Sequence, residues 1–230
     1  MKISIIIPCF NEEKTLSKIV DKVLQFKSFE KEIIIVDDCS KDNTPNIIKD
    51  LVSKFKEIKT VRHEKNYGKG AGIKSGVNIS TGDIVLIQDA DLEYNPEDFD
   101  NLLEPFLKTD ADVVYGSRFL GGKYVRLSFF WHYVANKLLT TLCNTFTNLN
   151  MTDMETGYKL FKSEAIKSID LKENSFGIEP EITIKLAKKK YIFYEVPISY
   201  SGRSYDEGKK IGLKDAFIAV YCIIKYRYFS

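Results

Sequence analysis

Cysteine is scarce and scattered. Cys9, Cys39, Cys143 and Cys222 form no Cys-x-x-Cys pair and no zinc spacing. That excludes a disulfide framework or a zinc-stapled fold and fits a reducing, cytosolic compartment. Long apolar runs are missing too: none reaches the roughly 18–20 uninterrupted residues of a spanning helix. The chain enters a strand-like run at once, with no basic n-region and no apolar h-region, so no signal peptide is expected. Charge of one sign is in short supply. A formal net charge of +2 creates no global field to recruit nucleic acid. There is no internal repeat and no low-complexity linker. What is present is 44% hydrophobic residues in a chain of 230, enough to bury one large core or two small ones.

Three apolar runs end abruptly in polar clusters. Lys2 to Pro8 is closed by its proline, Glu32 to Asp38 ends in two carboxylates, and Ile84 to Ile87 runs into Gln88-Asp89-Ala90-Asp91. Short β-branched runs of this kind read as buried strands. Amphipathic helical spacing lies between them: Leu16, Ile19, Val20, Val23 and Leu24, with Asn11 as the expected N-cap; then Ile47, Ile48, Leu51, Val52 and Phe55, with Thr44 as N-cap and Pro45 at N1. Ile58 to Arg62 is the next strand and Lys69 to Ile79 the next helix. Alternation of strand and helix implies a parallel, doubly wound α/β sheet with helices on both faces. Ligands in such sheets bind beyond the carboxyl ends of the strands. In extended structure Asp89 and Asp91 point the same way and can share one hard cation, Mg²⁺ or Mn²⁺. On spacing alone, a surface turn is the commoner setting for such a pair.

The rest of the chain is read the same way. Asn66-Tyr67-Gly68-Lys69-Gly70-Ala71-Gly72 is neither a P-loop nor a dinucleotide fingerprint, and serves either a ligand or a packing turn. Helices follow Asn95-Pro96 and Gly177, and strands cover Asp112 to Arg118 and Tyr191 to Val196. The lysines crowding the end of the helix after Gly177 read as a solvated helix end. Arg118, just past its strand, is either solvated or turned toward phosphate oxygens. Residues 127–149 gather Phe129, Phe130, Trp131 and Tyr133, interrupted by Asn136, Lys137, Asn144 and Asn148. This reads either as a helix in a membrane interface or as a cover for the sheet edge. The loop from Ile198 to Lys210 is a phosphate lid or a plain surface loop.

Four of these segments occur in a recognisable order: Ile6-Ile7-Pro8-Cys9-Phe10-Asn11-Glu12-Glu13, Val36-Asp37-Asp38-Cys39-Ser40-Lys41-Asp42-Asn43-Thr44, Asn66 to Gly70, and Gln88-Asp89-Ala90-Asp91. Together they resemble the family-2 inverting glycosyltransferases of the GT-A fold, and among them the polyprenyl-phosphate glycosyltransferases. The resemblance runs from about Lys2 to about Lys214. It implies one GT-A domain over 1–211, holding an interfacial helix near 127–149, and an amphipathic helix over 212–230. It implies a nucleotide-sugar donor, GDP-mannose or UDP-glucose, over Pro8, Phe10, Glu12, Asp37, Asp38, Lys69, Gln88 and Asp89. It implies Mg²⁺ or Mn²⁺ on Asp89 and Asp91. It places Arg118, Arg203 and Lys209 on phosphates, with Asp153 on the acceptor side as a base or an orienting group. A polyprenyl phosphate acceptor is already an anion and needs cations more than a base. Relatives that continue into transmembrane helices contrast with this chain, for which peripheral attachment to the cytosolic face of a membrane is expected. Two other readings remain open: transfer to a saccharide acceptor, and a non-catalytic nucleotide-sugar-binding module.

Overall fold

The apolar runs become strands: β1 (Lys2–Cys9), β2 (Glu30–Asp37), β3 (Ile58–Arg62), β4 (Ile84–Ile87), β5 (Val113–Ser117), β6 (Lys159–Lys162) and β7 (Phe193–Pro197). The computed structural model describes residues 1–122, 124–127, 129–202 and 213–229. It joins the strands into one sheet of order β3-β2-β1-β4-β6-β5-β7. All neighbours are parallel except those of β6, which runs against both β4 and β5. The helices are α1 (Leu16–Gln25), α2 (Thr44–Lys54), α3 (Lys69–Ile79), α4 (Phe99–Lys108), α5 (Phe130–Thr147), α6 (Ser163–Lys167), α7 (Ile178–Lys188) and α8 (Leu213–Tyr228).

Strand alternation divides the buried residues between two cores. Ile3, Ile5, Ile7, Ile33, Ile35 and Leu86 face Leu16, Ile19, Ile48, Leu51, Phe99 and Leu102 of α1, α2 and α4. Ile6, Ile34, Val36, Val85 and Ile87 face the other way, toward Ile73, Cys143, Ile166, Ile182 and Ile223 of α3, α5, α6, α7 and α8. Strands buried on both faces carry the continuous apolar runs seen in the sequence.

Helix starts depart from expectation where a side chain has a better partner than its own helix. Asn11 does not cap α1, which begins at Leu16. It sits at φ 56°, and its side-chain oxygen accepts the Lys41 N–H at 2.8 Å. Thr44 is likewise diverted: Asn43 takes the cap position of α2, and Thr44 Oγ1 accepts the Glu12 N–H at 2.9 Å. Asn11 N–H donates to Ser40 Oγ at 3.0 Å, and Glu13 N–H to Asp42 at 3.1 Å. The loops after β1 and β2 are therefore laced together at the carboxyl edge of the sheet.

Helix α5 packs Leu139, Leu142 and Phe146 partly against the second core, yet its most buried positions are mostly polar. Its buried residues are Asn136, Thr140 and Cys143, while Phe130, Trp131 and Leu138 are 66%, 75% and 66% exposed. It meets α8 where Phe146 and Tyr228 approach edge to face at 5.9 Å. On α8, Cys222, Ile223 and Tyr226 point inward and Phe217, Tyr221 and Ile224 outward. Among the described residues no helix is long and apolar enough to cross a membrane.

Candidate active site

The sheet order puts β1 beside β4, so the segments after both strands meet at the point where the winding direction reverses, a common ligand crevice. On the β1 side, Pro8 and Phe10 are half-buried. A Cβ at Gly72 would lie 2.9 Å from Pro8 Cβ, so α3 packs against this strand end because it carries no side chain there. Glu12 accepts a hydrogen bond from Thr15 Oγ1 at 2.6 Å.

Asp37 and Asp38 divide two tasks. Asp38 uses both oxygens on the loop before α3: Oδ1 lies 2.7 Å from His63 Nδ1 and accepts the Tyr67 N–H at 2.9 Å, and Oδ2 accepts the Gly68 N–H at 2.7 Å. It shapes that loop. Asp37 Oδ1 accepts the Ser40 N–H at 2.8 Å. Its Oδ2 is buried without a hydrogen bond, 3.4 Å from Arg62 Nε. Asp37 and Arg62 line a cavity of about 250 Å³ with Pro45, Ile48 and Thr60. Of the two carboxylates, Asp37 is the one with an oxygen left for a ligand.

Gln88 is fully buried. Its amide accepts from Tyr158 OH at 2.7 Å and donates to the Asp89 carbonyl at 3.0 Å. It braces the strand end from within rather than facing a ligand. Strand β4 stops at Ile87, and Ala90 to Glu93 bend. The aspartate pair is therefore oriented by a turn, not by strand alternation: Asp91 Oδ1 accepts the Glu93 N–H at 3.0 Å. Asp91 is buried and Asp89 partly so. Lys69, the first residue of α3, places Nζ 2.8 Å from Asp89 Oδ1 and 3.3 Å from Glu179 Oε1. Burial alone would lower the pKa of this lysine, but the charges of Asp89 and Glu179 outweigh it and raise it. Two carboxylates are hard ligands suited to Mg²⁺ or Mn²⁺, which draw further oxygens from diphosphate and water. Among the described residues no group of three or more His, Cys, Asp or Glu side chains forms a complete protein cage.

The second charged centre lies past β5. Arg118 grips Asp153 in a fork: Nε to Oδ2 and Nη2 to Oδ1, both 2.7 Å, with its backbone N–H also on Oδ2 at 3.1 Å. Asp153 is wholly buried and takes a further hydrogen bond from Asn136 Nδ2 of α5 at 2.9 Å. Burial favours its neutral form, yet the Arg118 charge and these hydrogen bonds prevail and hold the carboxyl below its usual range. A carboxylate so engaged is a weak base. It holds Arg118, whose guanidinium also lies over the rings of Tyr200 and Phe119 at 5.1 and 5.5 Å. Tyr94 joins the two centres. Its ring packs at a tilt against Tyr158 and Tyr200 at 4.8 and 5.2 Å, and its hydroxyl accepts the Gly157 N–H at 2.7 Å. Arg203 and Lys209 lie outside the described residues.

Sequence reasoning missed Glu155, Lys159, Glu179 and Glu195 as parts of this region. Glu195 accepts the N–H groups of Thr152 and Asp153 and so holds the Asp153 turn. Lys159 is buried, with Nζ donating to the Met154 carbonyl at 2.8 Å and to that of Thr156. Burial lowers its pKa, while burial and the nearby Glu179 raise that of Glu155. Glu155 Oε1 and Glu179 Oε2 are buried without hydrogen-bond partners. The available signal was a lysine opening an apolar strand straight after an acidic turn.

The sequence pattern of Glycosyl transferase family 2 matches residues 4–170. A dolichol-phosphate mannosyltransferase of Pyrococcus furiosus is 30% identical over 217 residues, covering 92% of this chain and 60% of the relative. A dolichyl-phosphate beta-glucosyltransferase of Trichomonas vaginalis is 30% identical over 218 residues, covering 86% of this chain and 65% of the relative. The chain thus spans less than two thirds of the length of either. In fold it is similar to a glucosyl-3-phosphoglycerate synthase of Mycobacterium tuberculosis crystallised with Mn²⁺, UDP and phosphoglyceric acid. That match has a TM-score of 0.75 at 19% identity and covers all of this chain and 79% of the other. The architecture is the mostly parallel α/β sheet of GT-A glycosyltransferases. With the family pattern running from β1 to beyond α6, the chain belongs to Glycosyl transferase family 2.

Proposed function

We propose that this protein moves a hexose, mannose or glucose, from a nucleotide sugar to a polyprenyl phosphate with inversion, while bound to the cytosolic face of a membrane. The observation that carries the reading is helix α5. Its polar stripe grips the Arg118–Asp153 pair through Asn136, and its aromatic side, with Phe130 and Trp131, is left exposed. Phe119, next to Arg118, meets Tyr133 of the same helix edge to face at 5.2 Å. A cation that suits phosphate is thus mounted on an element that suits lipid. The dolichyl-phosphate transferases among the relatives support the same acceptor.

Pro8, Phe10, Glu12 and Asp37 would receive the nucleoside, and Asp89 and Asp91 would hold Mg²⁺ or Mn²⁺. Such an ion would neutralise charge growing on the leaving diphosphate. Arg118, aimed by Asp153, would pair with phosphate oxygens and keep the acceptor anion in line with the anomeric carbon. Arg203 and Lys209 join it on the strength of the sequence. The acceptor is already ionised, so no group needs to remove a proton from it, and the engaged state of Asp153 is no handicap. One displacement at that carbon inverts it.

The test is a screen of GDP-mannose and UDP-glucose with and without a polyprenyl phosphate in detergent. A lipid-phosphate-linked hexose is expected, lost in excess EDTA and lost in Asp91→Ala. Sugar appearing on a saccharide acceptor, with none on the lipid, would replace this reading with the polysaccharide one. No turnover of any donor would favour the binding module.

A further inference from the structure

Lys69 stands between two carboxylates. Its ammonium is 2.8 Å from Asp89 Oδ1 and 3.3 Å from Glu179 Oε1. Glu179 is 6% exposed, and its second oxygen, Oε2, is buried with no hydrogen-bond partner. A buried carboxylate oxygen without a donor is costly, and a fold that keeps one has a use for it. Among the described residues Lys159 and Arg118 are further cations of this interior, but the Lys159 ammonium donates to the carbonyl oxygens of Met154 and Thr156 and the Arg118 guanidinium is held by Asp153. Glu155, the acid beside Glu179, brings a further buried oxygen without a partner and no positive charge. Among the described residues, the cation already paired with the Glu179 carboxylate is the ammonium of Lys69, at the end of its flexible four-carbon stem.

A divalent ion and an ammonium cannot comfortably share Asp89, because like charges at contact distance repel. We infer that Lys69 and Glu179 form an exchange pair. Lys69 is the cation that satisfies Asp89 when no divalent ion is present, and Glu179 is the positioning residue that receives its ammonium when the ion takes Asp89. This rests on the reading of Asp89 and Asp91 as ion ligands. It adds that affinity for the ion is set by residues that never touch it. Without Glu179 the ammonium has nowhere to go and competes with the ion. With Glu179 it steps aside, and a buried oxygen gains a charged donor.

The test is Mn²⁺ titration of the whole protein without nucleotide, reading free Mn²⁺ by electron paramagnetic resonance. Lys69→Met removes the competitor and is expected to tighten Mn²⁺ binding about tenfold. Glu179→Gln is expected to weaken it about tenfold in the native background and by less than about threefold once Lys69→Met is present, the non-additivity of a coupled pair. Glu179→Asp keeps the charge but withdraws it, and is expected to weaken binding as well. It serves as the second variant should Glu179→Gln fail to fold, with thermal melts checking both. The inference is overturned if Lys69→Met fails to tighten binding. It is also overturned if Glu179→Gln costs the same with and without Lys69, or if Glu179→Asp binds as the native protein does, since plain loss of negative charge then explains everything. Absence of Mn²⁺ binding by the native protein, even with UDP or GDP added, would remove the Asp89–Asp91 site itself and the exchange with it. Binding by the native protein with unaffected variants removes the exchange alone.

Discussion

Arg118 and Asp153 show how one buried pair decides what each partner can do. The fork fixes the guanidinium, and the carboxylate is fully shielded from water. Removing one member of such a pair leaves an uncompensated charge, at a cost of roughly 3–5 kcal/mol. Asp153→Ala is therefore expected to lower the unfolding free energy by about that amount in urea denaturation. Arg118→Ala strands Asp153 in turn, so its kinetics are to be compared in protein shown to be folded. If Arg118 meets charge that grows in the transition state, the variant loses kcat more than it raises KM. A change confined to KM would reassign the arginine to ground-state binding of phosphate.

At the level of elements, the start of α3 and the surface of α5 make opposite demands. The turn into α3 is tight: Gly68 has φ 103°, and a Cβ there would lie 2.5 Å from the Asn174 carbonyl oxygen. Gly68→Ala is expected to destabilise by about 2 kcal/mol, from the left-handed backbone alone. A Cβ at Gly121 would meet nothing within 4 Å, so Gly121→Ala serves as the near-neutral control in the same melts. Helix α5 is open to solvent where α3 is packed. Trp131 is the only tryptophan and reports that surface directly. Anionic vesicles are expected to shift its emission to the blue and to co-sediment the protein, and Phe129→Asp with Phe130→Asp is expected to reduce both. An unshifted emission with all the protein in the supernatant would remove the membrane from the proposal. Periodicity was enough to find most of these elements, because strands buried on both faces and helices buried on one leave strong patterns. Ile58–Arg62 and Lys69–Ile79 match the pattern residue for residue. Asn11 did not follow its cap signal, because a tertiary partner, the Lys41 N–H, competed for it. The reversed direction of β6 left no mark in the sequence, since a strand's pattern reads alike from either end. Glu179 is an acid of the first turn of α7, and only the fold shows it facing Lys69.

For the molecule as a whole, the end of the sheet opposite the site carries its own charged knot. Glu32 accepts from Ser4 Oγ, Thr81 N–H and Lys59 Nζ, each at 2.6 Å. Burial would raise its carboxyl, but these hydrogen bonds, led by that from Lys59, hold it down to about 2. A depressed carboxyl gives its full stability above the unfolded value of about 4.3 and loses it as pH falls through the folded one. Unfolding free energy should thus decline as pH drops from about 5 toward 2, and Glu32→Gln should flatten that decline. Equal slopes in both proteins would show that other carboxyls govern it.

The reversed strand β6 also bears on the order in which the molecule can be assembled. It sits between β4 and β5 and joins them. During synthesis, β1 to β4 can close as successive parallel units, but β4 then presents the bare edge of Ile84–Ile87 until Lys159–Lys162 emerge. Strand β5, made in the interval, has no partner of its own until β6 arrives. An unpaired apolar edge is a template for pairing with other chains, and such non-local closures are slow. The strand that delivers Asp89 thus keeps one edge open until late in synthesis, and the docking of β6 both seals that edge and brings Asp153 and Gly157 to the same rim.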